Sequence, residues 1–133
     1  MPQSTTVADL APPPGYAHVV TFDPDDRLVI TAGAVPLDEN GDLAGKGDIE
    51  QQTRQTLENL ASALEAAGSG LGQVAKTTVF VVAKEQSDLT RAWEVVRASE
   101  LSTLPHASTL LGVSLLGYTD QLVEIEALAY KQA

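Results

Sequence analysis

Near the C-terminus the four residues "VEIE" place two carboxylates, Glu124 and Glu126, two positions apart. Side chains alternate faces along a strand, so both point the same way, and Leu122, Leu128 and Tyr130 share that face. A carboxylate on a partly apolar surface is costly unless a cation or hydrogen-bond donors meet it. Such a group is also suited to moving a proton, and Glu124 is the first candidate for a general acid or base. A solvated edge is the plainer reading for one of the pair, and Glu126 is the candidate for it.

Other residues with chemical potential carry less. The "GSGLG" at 68–72 has the glycines of a phosphate loop but follows a helical pattern, so it reads as helix termination. Ser114, in "GVSLLG", lacks the spacing of a nucleophile elbow. His18 falls in a strand pattern and reads as a surface or interface residue. His106 follows Pro105 at the mouth of a strand, where side chains can line a cleft. Trp93 sits at helical spacing among apolar residues and reads first as packing, second as a stacking surface for a ligand.

The elements that must position these groups follow from periodicity. The first fourteen residues, rich in Pro, Ser and Thr, predict an extended arm, and residues 15–133 a single domain. "YAHVVTF" and "RLVITAGAVP", separated by "DPDD", predict a hairpin, and Asn40-Gly41 a turn. In "DIEQQTRQTLENLASALEAAG", Ile49, Thr53, Leu57, Leu60, Leu64 and Ala67 recur at helical spacing, with Asp48 and Gln51 as a capping pair and Gly68 as the stop. "VAKTTVFVV" predicts a strand, "SDLTRAWEVVRASEL" a second helix with Leu89, Trp93 and Val96 inward, and "STLLGV" and "QLVEIEALAY" two more strands.

The order β-β-α-β-α-β-β predicts an α+β fold, one mixed sheet with both helices on one face. Yet both parities of "VAKTTVFVV" and "RLVITAGAV" are mainly apolar or small, so the second face also needs cover. The expectation is a homo-oligomer with sheets packed against one another.

Composition bounds the partners. Eight Lys plus Arg against eighteen Asp plus Glu give a net charge of −10, which repels phosphate backbones and anionic lipid. Nucleic acid and membrane are therefore not expected partners. Cysteine is absent and the two histidines are far apart in sequence, so neither thiolate chemistry nor a metal cluster is expected. No segment reads as a signal peptide or a membrane span, and the expected location is the cytoplasm.

Taken together, "GYAHVV", "VITAGAVPLDENGDLAGKGDIEQQTRQTLENLASALEAAG", "VAKTTVFV" and "PHASTLLGVSLLGYTDQLVEIEALA" resemble the Rid family, the reactive-intermediate deaminases also called the YjgF family. The resemblance runs from about Gly15 to the end. It implies a chorismate-mutase-like fold, a homotrimer and three ligand clefts between subunits. It also implies hydrolysis of 2-imino acids to 2-keto acids and ammonia without metal or cofactor.

Residue by residue, Tyr16 matches the aromatic of the family's N-terminal cleft motif, Gly33 matches its turn, and Glu124 matches its water-activating glutamate. The arginine with which the family grips the substrate carboxylate falls at Ser108, or at Ala107 or Thr109 with a one-residue shift, and none is an arginine. The turn written "SGQ" in the family is "AGA" here, with Ala32 and Ala34, and Trp93 stands where the second helix carries asparagine. This pattern is similar to the arginine-lacking branches of the family.

The resemblance then implies a cofactor-free enzyme acting on an imine, enamine or other enolisable metabolite less anionic than a 2-imino acid. Glu124 would be catalytic, with Tyr16, Ala32, Gly33, Trp93, His106, Ser108 and Thr109 binding substrate. A non-catalytic metabolite-binding or regulatory trimer is the alternative. A ribonuclease activity, also associated with the family, is disfavoured by the charge.

Overall fold

A computed structural model of the chain describes residues 1–132. Its centre is a four-stranded sheet with strands β3 (Asp26–Ile30), β4 (Val74–Val82), β5 (Ala107–Val113) and β6 (Val123–Gln132) in the order β3-β6-β4-β5. The β4–β5 pair is parallel and the other two pairs are antiparallel, so the sheet is mixed as expected. Helix α1 (Ile49–Ala66) and helix α2 (Gln86–Arg97) pack on one of its faces.

The helices form where the sequence says they should. Asp48 accepts the Gln51 N–H at 2.9 Å and caps α1. Gly68, at φ 81°, ends it, with the Ser69 N–H reaching back to the Leu64 carbonyl at 2.9 Å. Leu57, Leu60 and Leu64 of α1 meet Trp93 and Val96 of α2 and the inward row Val79, Val81, Val123, Ile125, Ala127 and Ala129 of the sheet. The period of two in β6 is thereby divided cleanly: odd positions are core, and Glu124, Glu126 and Leu128 face the other way.

That other face has no layer of its own. Leu28 is 57% exposed and Ile30 79% exposed, and Phe80, Leu111 and Leu128 are only half-buried on the same side. Two helices have covered one side of the sheet, and the other side sets these apolar residues among Lys76, Thr78, Thr109, Glu124 and Glu126.

Two expectations are corrected at the N-terminus. The first fourteen residues are not a free arm, because β1 (Gln3–Thr5) pairs antiparallel with β2 (Val19–Thr21). His18 fastens them further: its Nδ1 accepts the Val7 N–H at 2.9 Å and its Nε2 lies 3.1 Å from the Ala11 carbonyl. Nor do residues 16–22 and 27–36 form a hairpin, since β2 pairs with β1 and β3 with β6. The turn at "DPDD" bends the chain, but β3 finds its partner in the long C-terminal strand, which offers five matched positions. The second helix is also shorter than predicted, ending at Arg97 before a 3₁₀ turn over Glu100–Thr103.

Three polar residues of α1 are fully buried, and one of them works as a clamp. Gln52 donates to the carbonyls of Gly45 and Asp120, both at 3.1 Å, and accepts the Leu122 N–H at 2.7 Å. One side chain thus ties the loop before α1 and the loop before β6 to the same turn of helix. Gln52→Leu keeps the volume but strands all three backbone groups, and should lower unfolding stability by about 2–4 kcal/mol. Urea denaturation beside the exposed control Ser62→Ala, expected within about 0.5 kcal/mol of the parent, measures this.

Candidate active site

Glu124 lies on the sheet face away from the helices, half-buried, opposite Phe80 of β4. Its carboxylate is held from two directions. Gln121 Nε2 donates to Oε1 at 3.1 Å, and the same amide nitrogen donates to the Val123 carbonyl at 3.0 Å. On the other side the carboxylate rests on bare backbone: a Cβ at Gly33 would overlap Oε2 and stand only 2.7 Å from the carboxyl carbon. With any larger residue there the carboxylate would have to leave this position.

The backbone on both sides is itself fixed. Residues 31–34 run beside β6, with the Thr31 N–H donating to the Ala127 carbonyl at 3.0 Å and the Ala34 N–H to the Ile125 carbonyl at 2.7 Å. Asn59 of α1 donates to the carbonyls of Val35 and Leu37, each at 2.7 Å, and holds the continuation of that segment against the helix. Gln121 accepts the Tyr118 N–H at 3.0 Å through its own Oε1. A carboxylate oriented by an amide donor, half-open to solvent and seated on a glycine, can take a proton from a group that meets its open side, or return one to it.

Glu126 differs as expected. It is exposed, opposite Thr78, beside a shallow recess that also includes Ile30, Lys76 and Leu128.

A second group of the sequence-predicted residues gathers elsewhere. Tyr16, Trp93 and Ser108, with Pro14 and Leu110, line a recess of about 270 Å³ at the β5 edge, on the helix side of the sheet. The Tyr16 and Trp93 rings meet edge to face with centroids 6.4 Å apart, and Trp93 Nε1 donates to the Pro14 carbonyl at 2.9 Å. Ser108 Oγ lies 2.7 Å from Thr77 Oγ1 behind the recess.

Within one chain this recess and Glu124 do not meet. Glu124 aligns with Phe80 and Phe80 with Leu111, two strand spacings away, and Ser108 is three residues further along β5 on the opposite face. The separation is roughly 14 Å through the sheet. Ala32 stays with the Glu124 group, exposed beside Gly33.

Two residues expected to bind substrate lie outside this recess. Thr109 points to the face opposite Ser108 and accepts a hydrogen bond from Lys76 Nζ at 2.7 Å, because neighbours on a strand cannot share a face. His106 is not at the cleft mouth. It is 1% exposed behind the sheet, with Nε2 2.9 Å from Thr77 Oγ1 and its backbone carbonyl accepting the Ala17 N–H. Burial, with a smaller push from Lys76 and against the opposing pull of the Leu101 backbone, lowers its pKa to about 4. A neutral, enclosed imidazole cannot serve as the missing cation.

Gln121, Asn59, Thr77 and Gln52 were not anticipated. The signal available was the row of polar residues Gln52, Thr56 and Asn59 beside the apolar stripe of α1, at i, i+4 and i+7.

Comparison with known proteins agrees with this architecture. The family model described as Endoribonuclease L-PSP, the Rid or YjgF family, matches residues 6–131. The chain belongs to the Rid family. A RutC family protein of Pyrococcus horikoshii is 43% identical over 106 residues, 80% of this chain and 81% of that protein. The 2-iminobutanoate/2-iminopropanoate deaminase of Salmonella typhimurium is 35% identical over 108 residues, 79% of this chain and 80% of that one. Among solved structures, the Rid protein YyfB of Yersinia pestis superposes with a TM-score of 0.88 at 30% identity, covering 96% of this chain and 97% of its own. Among the described residues no helix is long and apolar enough to cross a membrane.

The buried histidine of this Rid chain has a pH consequence. A folded-state pKa near 4 lies below the unfolded value near 6.5, so the unfolded chain binds the extra proton first. The contribution is complete above pH ~6.5 and is lost as pH falls toward ~4, on the order of 3 kcal/mol. Denaturation at both ends of that window should show wild type losing this much more stability than His106→Asn, with the carboxylates common to both cancelling. Equal losses in the two proteins would contradict the assignment.

Proposed function

We propose that the chain is a cofactor-free enzyme of the Rid type that works as a homotrimer and hydrolyses or tautomerises an imine, enamine or similar enolisable metabolite. The observation that carries this is Glu124: a carboxylate aimed by Gln121 and seated on Gly33, on the sheet face that lacks a covering layer. A second copy laid on that apolar face would shield Ile30 and Leu28 from water and bring an opposite surface up to the carboxylate. The aromatic recess of a neighbour is the natural opposite surface, since within one chain it stands too far from Glu124 to share a ligand.

In this arrangement the substrate carbon lies against Glu124, which takes a proton from water as the water adds to the C=N carbon and returns it to the departing nitrogen. For a tautomerisation the same carboxylate moves a proton between carbon and nitrogen. Desolvation in an interfacial cleft would strengthen both roles.

The relatives' names speak of iminobutanoate and iminopropanoate, but this chain does not carry their family's arginine on β5. A lost bidentate contact of roughly 1.5–3 kcal/mol is worth on the order of ten- to a hundredfold in rate. The proposed substrate is therefore an imine that lacks a carboxylate.

Imines generated in the reaction mixture by amino-acid and amine oxidases, with carbonyl product and ammonia followed, provide the test. Hydrolysis of 2-iminopropanoate should run at least roughly tenfold slower than in an arginine-bearing family member, with carboxylate-free imines preferred. Glu124→Gln should lower turnover by about a hundredfold or more, and Glu126→Gln by less than about twofold. A fully active Glu124→Gln protein would leave a metabolite-binding trimer as the better account.

A further inference from the structure

A groove of about 800 Å³, roomier than the Tyr16 recess, runs between α1 and α2 on their solvent side. Its floor is Leu57 and Ala61 of α1, Val95 and Ala98 at the end of α2, and Leu71 of the turn between α1 and β4. Leu57 belongs to the core and Val95 packs against it, whereas Ala61 and Ala98 stop at Cβ and leave the space above them unfilled. Along α1 the groove extends from Glu50 to Glu65, a length of about 22 Å.

The rims are dominated by one sign of charge. Glu50, Glu58 and Glu65 follow one another at eight and seven residues on the α1 side, about 11 Å apart, and Glu94 and Glu100 stand on the other. Arg91 is already engaged, by Glu50 at 3.7 Å and by Asp88 at 3.1 Å. Among the described residues Glu58, Glu65, Glu94 and Glu100 are exposed and have no ion-pair partner in the chain, and Arg54 is the one groove cation left to set against them.

A hollow this long, with an apolar floor and exposed rims, takes a rod better than a compact ligand. A third helix laid across two others packs its ridges into such a groove, and about four turns span the 22 Å. Charge decides whose helix it is. A second copy of this chain, with its net charge of −10, would set glutamate against glutamate. A helix with Lys or Arg beside its apolar stripe is complementary to floor and rims together.

We propose that the α1–α2 groove docks an amphipathic helix of another protein, about four turns long, whose apolar stripe is flanked by Lys or Arg at intervals of about two turns. The stripe lies on Leu57, Ala61 and Val95, and the cations meet Glu58, Glu65, Glu94 and Glu100. This interaction is separate from the Glu124 chemistry: the assembly proposed above uses the other face of the sheet and leaves the groove free.

The probe is a synthetic peptide of about 16 residues with leucines at i, i+3, i+4 and i+7 and lysines on either side of them. Two companions isolate its features, one with every lysine replaced by glutamate and one with the same composition shuffled so that the stripe is lost. Binding is read by fluorescence anisotropy of the labelled peptide, and its place by the backbone amide shifts of the protein. The lysine peptide should bind with a Kd on the order of 10 μM and shift amides of residues 54–61 and 91–98, with both companions at least about tenfold weaker. The double variant Glu58→Lys/Glu94→Lys should weaken it by about tenfold, and Asp25→Lys/Glu39→Lys, an equal change of net charge at exposed sites outside the groove, by less than about twofold. Ala61→Phe, which fills the floor without altering charge, should weaken it by about fivefold or more. An unchanged urea midpoint shows that each variant is folded.

No binding at about 1 mM would overturn the proposal. So would equal binding of the shuffled peptide, or equal weakening by the two charge-reversed pairs, since either would reduce the effect to general attraction by an acidic protein. Tighter binding of the glutamate peptide would assign the groove to anionic partners held by Arg54 and Arg91 and would overturn it as well.

Discussion

A sheet has two faces, and this chain has helices for one. The core formed by α1, α2 and the inward row of β4 and β6 is complete, with Leu60, Leu64, Val79, Val81 and Ile125 all fully enclosed. The opposite row leaves Ile30 at 79% and Leu28 at 57% exposure. Removing an aliphatic side chain of that kind from water stabilises by roughly 1.5–3 kcal/mol, which is the physical ground for the homotrimer proposed above. Glu124 stands on this same face, so the proposed chemistry and the proposed assembly depend on one surface.

The helices do more than cover. Gln52 and Asn59, one and three turns into α1, hold five backbone groups of two loops, and those loops deliver Gly33 and Gln121 to either side of the Glu124 carboxylate. Buried amides of this type are costly unless every hydrogen bond is made, and here they are made to loop backbone that would otherwise be free to shift. On the far side of the sheet a similar chain, from His106 through Thr77 to Ser108, fixes one hydroxyl at the aromatic recess.

Much of this was legible in the sequence. The apolar period of 3.6 with Asp48 and Gly68 at its ends placed α1, and the alternation in "VEIEALA" put Glu124 and Glu126 on one and the same face of their strand. The double-sided apolar character of "VAKTTVFVV" announced the uncovered face. What could not be read was long-range pairing. "DPDD" is a sound turn signal, yet β3 pairs with a strand about a hundred residues away, and the polar first residues pair with β2 through backbone bonds to which composition is blind. His106 beside Pro105 looked like a cleft residue, since a strand's mouth does not reveal which side of it is interior. Ser108 and Thr109 were grouped by adjacency, although period two sends them to opposite faces.

The central claim is that the working site is assembled from two half-sites on different copies, the Glu124 group of one and the Tyr16 recess of the next. Mixing subunits tests it most directly. Glu124→Gln and Tyr16→Ala proteins, each inactive alone, are unfolded together in equal amounts and refolded, and turnover of a carboxylate-free imine is measured. In a random threefold assembly about a quarter of the sites pair an intact glutamate with an intact recess, so the mixture should recover roughly a quarter of wild-type activity. A mixture whose subunits demonstrably co-assemble yet which stays as inactive as its two components would show that each site lies within one chain, and would contradict the account.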